Sequence, residues 1–199
     1  DEVPVLEGYT FAGWAVDGAK VDTLVMDAEG KTYTALYTMN DFAFFDVELY
    51  LMDTEGNYGT TPNKVMKENG LIGLTVTVDH DGFQQYLEDY FSADTSDKTN
   101  NIYKGVIAED GSTTLKLYFK RATVKIAVNG EEPKDYFVGQ EIPAPVVDPT
   151  EIPEGHEQDP ANPWVDQNGD PVEVPYTVKV NGNPTEIKPN FVPADNTYS

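Results

Sequence analysis

The chain contains no cysteine, and this absence excludes several kinds of structure and chemistry. No disulfide can brace the fold, no thiolate can bind a metal ion, and no cysteine nucleophile can act in catalysis. Histidine is almost as scarce, since only His80 and His156 occur. Neither has a second histidine or a spaced set of carboxylates nearby in sequence that would indicate zinc. We expect both to be exposed loop residues, and we expect no metal site.

Positive charge is also in short supply. The 13 basic side chains face 35 acidic ones, which gives a net charge of -22. Such a field repels phosphates and anionic headgroups, so we expect no binding of nucleic acid or of anionic membranes by charge. No apolar run reaches the roughly 18 residues that a membrane-spanning helix needs, so we expect no membrane insertion of this segment.

The usual signatures of catalysis are missing as well. There is no Gly-x-Ser-x-Gly motif, no phosphate-binding glycine loop and no dinucleotide fingerprint. The acidic turns at residues 79–82 and 166–170 lack the twelve-residue ligand series of a calcium loop. Carboxylates are so frequent that no glycosidase pair stands out. We expect no enzyme, no catalytic residue and no cofactor.

Aromatic and turn-forming residues are abundant: 12 Tyr, 9 Phe, 16 Gly and 14 Pro. This composition is typical of short strands joined by many turns. Residues 8–14 (Gly-Tyr-Thr-Phe-Ala-Gly-Trp) alternate as a strand does, Asp17-Gly18 forms a turn, and residues 21–26 and 33–37 are further strands. We expect a small core here that contains Tyr9, Phe11, Trp14 and Tyr33.

These motifs resemble the B-type repeat of bacterial surface proteins, also called the Listeria–Bacteroides or internalin B-type repeat. In that family a Gly-Tyr-x-Phe-x-Gly-Trp strand leads to a closing strand similar to Tyr-Thr-Ala-Leu-Tyr. The resemblance covers residues 4–37 and assigns residues 1–40 to the C-terminal part of such a repeat. Because the chain begins within a repeat, we expect it to be a piece of a longer protein.

The period of the sequence changes in the middle section, residues 41–122. Residues 45–52 and 71–78 predict strands. A stripe at helical spacing then predicts one helix from Asp81 to Ala93, with Asp81 and Gln84 as its capping box. The core residues expected here are Phe83, Leu87, Tyr90 and Phe91 on the helix, and Leu117 on a strand that closes the section.

The hairpin at residues 105–121 resembles the closing hairpin of mucin-binding-protein-like (MucBP-like) modules. The earlier Val47-x-x-Tyr50-x-x-Asp53-x-x-Gly56 segment resembles the same family. The resemblance implies a small β-grasp (ubiquitin-like) module, in which one helix crosses a mixed sheet.

Residues 123–199 repeat the opening theme. Residues 123–128 and 174–180 predict strands, and Trp164 followed by Asn168-Gly169 echoes Trp14 followed by Asp17-Gly18. Residues 191–198 echo residues 24–33, whereas His156 stands where the first repeat has an aromatic residue. This section resembles a divergent B-type repeat, with Trp164 as its core residue.

The expected fold is therefore mainly β or α+β, with tandem small β-grasp modules arranged end to end. The resemblances imply a non-enzymatic spacer or stalk in an extracellular, wall-anchored surface protein of a Gram-positive bacterium, with neighbouring repeats as partners. The alternative is an adhesion module that binds host glycoprotein or glycan. An exposed row of aromatic side chains on one sheet would favour adhesion, and polar outer faces would favour the spacer.

Overall fold

A computed structural model describes residues 3–25, 30–96 and 99–194 of the chain. The structure is mainly β, as the sequence predicts, and consists of several small sheets with very little helix. Two compact units are present. The first comprises residues 1–50, 60–86 and 93–119, and the second comprises residues 51–59, 87–92 and 120–199. The predicted boundary at Asp41 falls inside the first unit, and the division into three modules stays a prediction.

The first sheet is antiparallel and has the order β2-β1-β3. Its strands are β1 (Tyr9–Val16), β2 (Ala19–Val21) and β3 (Thr34–Met39). The predicted turn joins β1 to β2, with Asp17 and Gly18 both at positive φ as a tight hairpin requires. The predicted strand over residues 21–26 is wrong in position, because β2 ends at Val21 and residues 22–25 are outside any strand. Met26 lies outside the described residues.

A β-bulge decides which aromatic residues meet in this sheet. The pairing of β1 with β3 shifts register between Phe11 and Gly13. The extra residue reverses the alternation, so Trp14 joins the face that carries Phe11. The Phe11 ring lies edge-on to Trp14 at 5.4 Å and to Tyr37 at 5.9 Å. Tyr9 is 40% exposed, so its expected place in a core is wrong.

The second sheet has the order β5-β4-β9-β7, and β6 and β8 form a separate antiparallel pair. The elements of this section are β4 (Phe42–Leu51), β5 (Lys64–Leu71), β6 (Thr75–Thr77), α1 (Asp81–Gln84), β7 (Phe91–Ala93), β8 (Lys104–Val106) and β9 (Thr114–Arg121). β4 and β5 form an antiparallel hairpin over eight registered pairs, from Phe42 opposite Leu71 to Leu49 opposite Lys64.

Contacts between β4 and β9 advance in the same direction along both strands. The Asp46 N–H donates to the carbonyl of Thr113 at 3.0 Å. Glu48 pairs with Lys116 at 3.4 Å, and the Tyr50 ring stacks on Tyr118 at 4.6 Å. Because both residue numbers rise together, β4 and β9 run parallel.

Alternate side chains of β4 and β9 fill the core of the first unit, as the two-residue period of a strand requires. The buried residues are Phe45, Val47 and Leu49 on β4 and Leu115, Leu117 and Phe119 on β9, together with Ile107 and Phe83. Leu117 has no exposed surface, which is the environment that the sequence predicts for it.

The long predicted helix is wrong. α1 begins at Asp81 but ends at Gln84, and Phe91 lies in β7. The expected capping box is absent, since Asp79 rather than Asp81 accepts a hydrogen bond, from the Gly82 N–H at 2.9 Å. Leu87 and Tyr90 are half-buried and lie outside the helix.

Tertiary contacts explain why the helix stops. The Tyr90 carbonyl accepts a hydrogen bond from the Ala122 N–H at 2.8 Å, and the guanidinium of Arg121 lies 5.2 Å from the Tyr90 ring and 4.9 Å from the Phe91 ring. A continued helix would turn these residues away from those partners. The helical spacing of apolar residues expresses only a weak local preference, and these tertiary contacts override it.

The third sheet has the order β11-β10-β16-β14, accompanied by the antiparallel pairs β12-β15 and β13-β17. Its elements are β10 (Thr123–Val128), β11 (Lys134–Phe137), β12 (Glu141–Ile142), a 3-10 helix (Pro149–Glu151), β13 (His156–Gln158), β14 (Trp164–Asp166), β15 (Tyr176–Thr177), β16 (Glu186–Pro189) and β17 (Phe191–Pro193). β10 is antiparallel to β11 and parallel to β16. The strand predicted over residues 174–180 is reduced to β15, and residues 195–198 of the predicted echo lie outside the described residues.

One cluster forms the core of the second unit. Its buried members are Ile126, Ile142, Trp164, Tyr176, Val178 and Ile187, with Val124, Val128, Tyr136, Val147, Val172 and Val174 packed around them. Trp164 is 5% exposed, so the indole is a core residue as the sequence predicts. The cluster draws side chains from the four-stranded sheet and from the β12-β15 pair, and it therefore packs these two sheets together.

Replacing Ile187 with Ala tests this core. The side chain has no exposed surface, so its truncation should lower the free energy of unfolding by about 2–5 kcal/mol. The matched control is Val146→Ala in the same unit. Val146 is 88% exposed, and its truncation should change stability by less than about 0.5 kcal/mol. Equal effects of the two substitutions in urea denaturation would show that Ile187 does not hold the cluster together.

Candidate binding surface

The outward face of β4 carries two large exposed aromatic side chains. Phe42 is 64% exposed and Phe44 is 61% exposed, whereas Phe45 on the opposite face is buried. The strand period places Phe42 and Phe44 side by side on one face. Their partners on β5 are Leu71 and Asn69, respectively. We call Phe42 and Phe44 the aromatic pair.

The same face becomes charged further along β4. Asp46 accepts a hydrogen bond from the ammonium group of Lys67 at 2.8 Å, and Glu48 lies 3.4 Å from Lys116. Lys67 and Lys116 come from β5 and β9, on either side of β4. Such part-exposed pairs contribute little stability, but they balance the charges of Asp46 and Glu48 beside the aromatic pair.

Tyr50 lies at the end of this face of β4 and forms a hydrogen-bonded network with Glu48 and Lys116. Its hydroxyl donates to Glu48 Oε2 at 2.8 Å and accepts from Lys116 Nζ at 3.5 Å. Burial, reinforced by the hydrogen bond with Glu48, raises the pKa of Tyr50, while the hydrogen bond with Tyr50 is the main cause that raises the pKa of Lys116. The phenol stays neutral and the amine charged at neutral pH, so the network holds the sheet and is not prepared for proton transfer.

Sequence reasoning missed the aromatic pair because it began the first strand of this section at Phe45. The signal was present in the sequence, since Phe44 and Phe45 are consecutive. Two consecutive aromatic residues in a strand must point to opposite faces, so one of them lies away from a one-sided core. The burial of Phe45 then exposes Phe44.

Two clefts lie in the second unit and share Pro171, Val172, Glu173 and Pro175 in their walls. Their volumes are about 710 Å³ and 640 Å³. In the larger cleft, Asn183 already accepts hydrogen bonds from the Tyr176 hydroxyl at 2.9 Å and from the Lys179 N–H at 2.7 Å. Its amide donates back to the Lys179 carbonyl at 2.7 Å. Asn183 is therefore occupied in shaping a loop and not in binding a ligand.

The structure corrects the expectation for one histidine. His80 is only 7% exposed, so it is not an exposed loop residue. Its Nε2 donates to the Tyr118 carbonyl at 2.9 Å, and its ring lies edge-on to Phe119 at 4.9 Å. His156 is exposed but lies in β13. Among the described residues, no group of three or more His, Asp or Glu side chains is placed to hold a metal ion.

The acidic turn at residues 166–170 has a twin at residues 53–57. In each loop the first Asp carboxylate accepts from the N–H groups two and four residues later, at 2.8 Å and 2.9 Å for Asp166 and at 3.0 Å and 2.7 Å for Asp53. Desolvation raises the pKa of Asp166, but the hydrogen bonds that its carboxylate accepts from Asp170, Asn168 and Gly169 together outweigh it, and the pKa is lowered. Both carboxylates are therefore occupied by the hydrogen bonds that close their own loops.

The residues expected in cores do not form one site. Phe83, Phe91, Leu117 and Trp164 are buried, Phe11, Trp14, Tyr33, Leu87 and Tyr90 are half-buried, and Tyr9 is exposed. They are distributed over the three larger sheets and the turns beside them. Their shared property is packing and not a common ligand.

Comparison with known proteins adds no family assignment. No protein-family model, no curated protein and no solved structure matches the chain. The resemblance to B-type repeats and MucBP-like modules therefore stays a prediction. Among the described residues, no helix has both the length and the apolar character needed to cross a membrane.

The twin loops provide a matched pair of glycine substitutions. Gly56 and Gly169 occupy the same loop position at φ +83° and +90°, so Ala at either position pays for the left-handed backbone. Only Gly56 is also crowded, because a Cβ there would lie 2.8 Å from Phe137 Cζ, whereas a Cβ at Gly169 would meet nothing within 4 Å. We expect Gly56→Ala to lower the unfolding free energy by about 1–3 kcal/mol more than Gly169→Ala does. Indistinguishable melting temperatures for the two variants would contradict this contact.

Proposed function

We propose that the chain is a non-enzymatic spacer segment of an extracellular, wall-anchored surface protein of a Gram-positive bacterium. The observation that carries the proposal is the connection between sheets: Ala122 alone separates β9 from β10, and only Asn40 and Asp41 separate β3 from β4. A chain that passes from sheet to sheet without a flexible linker keeps its end-to-end distance, whereas a long Gly/Ser-rich linker would behave as a random coil. The net charge of -22 supports the same role, because acidic segments stay soluble and repel one another.

We further propose that the modules are of the β-grasp type. In both four-stranded sheets the order is second strand, first strand, last strand and then an intermediate strand: β5-β4-β9-β7 and β11-β10-β16-β14. In both, the first and last strands are neighbours and parallel. The MucBP-like resemblance implies a mixed sheet crossed by one helix for residues 41–122; the mixed sheet supports this proposal, whereas α1 has only four residues. The recurrence of the same strand order in residues 123–199 supports tandem modules.

Contacts around Asn40 support neighbouring repeats as the partners of each module. The Asn40 N–H donates to the Gly8 carbonyl at 2.9 Å, and its side-chain amide donates to the Ile72 carbonyl at 2.7 Å. The Glu7 carboxylate accepts hydrogen bonds from the N–H and hydroxyl of Thr75 at 3.2 Å and 3.0 Å. These contacts hold residues 7, 8 and 40 to the section that follows them inside the first unit. Modules this small gain stability from such neighbours.

Small-angle scattering tests the spacer. A compact protein of this length has a radius of gyration of about 16 Å, and a spacer must be clearly longer than that. We expect a larger radius that does not change with salt, because it comes from folded modules and not from charge repulsion. A radius at the compact value would contradict the spacer.

The second candidate is adhesion to host glycoprotein or glycan, and the aromatic pair favours it. Two exposed Phe side chains on one sheet face provide a flat apolar platform, and the two carboxylates further along this face, Asp46 and Glu48, are each paired with a lysine. Exposed apolar patches that serve as binding sites are usually larger than two side chains. We therefore rank adhesion second.

A binding screen with mucin and an array of host glycans separates the two candidates. If adhesion operates through the aromatic pair, replacing Phe42 and Phe44 with Ser should abolish binding, while Val65→Ser on the exposed surface of β5 should leave it unchanged. Both variants should stay folded, because all three side chains are at least 49% exposed. Absence of binding by the unsubstituted chain would exclude this adhesion.

A further inference from the structure

The direction in which tension loads a sheet depends on whether its first and last strands pair in parallel or antiparallel. A chain pulled from both sides enters β4 at Phe42 and leaves β9 at Arg121. Because β4 and β9 are parallel, these two points lie at opposite ends of the strand pair. Tension therefore acts along the strands and loads all their contacts together. The same holds for β10 and β16, where Ala127 is opposite Glu186 and Val128 is opposite Ile187.

The first sheet is loaded in the opposite manner. β1 and β3 are antiparallel, and Tyr9 at the start of β1 is opposite Met39 at the end of β3. Tension applied at these two residues pulls the strands apart sideways from one end. Each residue pair then opens in turn, so the sheet resists with the strength of one pair at a time.

We propose that the two parallel pairs are load-bearing clamps that let the segment transmit tensile force, with β4–β9 the stronger clamp. This inference rests on the proposed spacer function, and it adds that the spacer holds its length under tension. The ranking follows from strand length: β4 has 10 residues and β9 has 8, whereas β16 has 4. The Glu48–Lys116 ion pair and the Tyr50–Tyr118 stack further connect the longer clamp.

The clamps act in series. Ala122 is the only residue between the end of β9 and the start of β10, so tension passes from one clamp to the next without slack. Under rising force we expect the β1–β3 sheet to open first, the β10–β16 clamp to fail second and the β4–β9 clamp to fail last. Forced unfolding follows the barrier to unfolding and not the equilibrium stability, so this order need not match thermal stability.

Single-molecule pulling of the whole chain through terminal handles tests the order. At about 3.4 Å per extended residue, release of residues 9–39, 123–187 and 42–121 lengthens the chain by about 11, 22 and 27 nm, before subtraction of the folded spans. The expected sequence of events is the shortest step at the lowest force and the longest step at the highest. Release of the longest step before the 22 nm step would overturn the ranking of the clamps.

A change of pulling direction tests the clamp itself. Because the chain has no cysteine, paired Cys substitutions place handles at chosen sites. Phe44→Cys with Lys120→Cys loads β4 and β9 along their length, and Phe44→Cys with Ser112→Cys pulls the same strands apart from one end. All three residues are exposed. We expect at least about a twofold higher rupture force for the first pair at equal loading rate.

Equal rupture forces in the two directions would refute the clamp, provided both variants show the same denaturation midpoint. If a variant fails to fold, the pulling of the unsubstituted chain still decides the order of release. The outcome is separable from that of the spacer proposal. A chain that is extended in scattering but shows no directional resistance is a spacer that bears no load, and a compact chain with directional resistance has clamps without the spacer role.

Discussion

The pairing of β4 with β9 is the contact on which the first unit depends. It joins strands that are far apart in sequence, so the entropy of closing a long loop must be overcome before the pairing stabilises anything. Once formed, it aligns alternate residues of both strands into one buried layer, with Val47, Leu49, Leu115, Leu117 and Phe119 fully or almost fully buried. A slip of one residue would move that layer to the exposed face, so the apolar pattern fixes the register.

The second unit has the same parallel pairing of a first and a last strand, but the pairing is shorter. The parallel pairing of β10 with β16 extends over only two registered residue pairs. The stability of this unit must therefore come mainly from the side chains clustered around Trp164 and Ile187. This explains how short strands such as β12 and β15, of two residues each, persist: they are held by burial of Ile142 and Tyr176 and not by their ladders.

Polar groups in this protein are used mostly to build loops and to balance one another. Among the described residues, no buried side-chain nitrogen or oxygen atom lacks a hydrogen-bond partner. Asp53, Asp166 and Asn183 close loops, while Glu48, Tyr50 and Lys116 satisfy one another across the sheet. A side chain whose hydrogen-bonding capacity is filled by its own fold has little left for a ligand.

The sequence by itself determined the mainly β character, the hairpin turns and several core residues, because alternation and Asp-Gly or Asn-Gly turns are local properties of the chain. Leu117 was assigned correctly to a buried position in a strand, Phe83 from the helical spacing that begins with it, and Trp164 from its echo of Trp14. Tertiary structure decided the features that depend on partners distant in sequence. The stripe from Phe83 to Phe91 fits a helix, but Tyr90 and Phe91 meet Arg121, so the chain leaves the helix after Gln84. The bulge before Gly13 brings Trp14 to the Phe11 face, and the one-sided core under Phe45 leaves Phe42 and Phe44 exposed, because only the assembled sheet determines which face is covered.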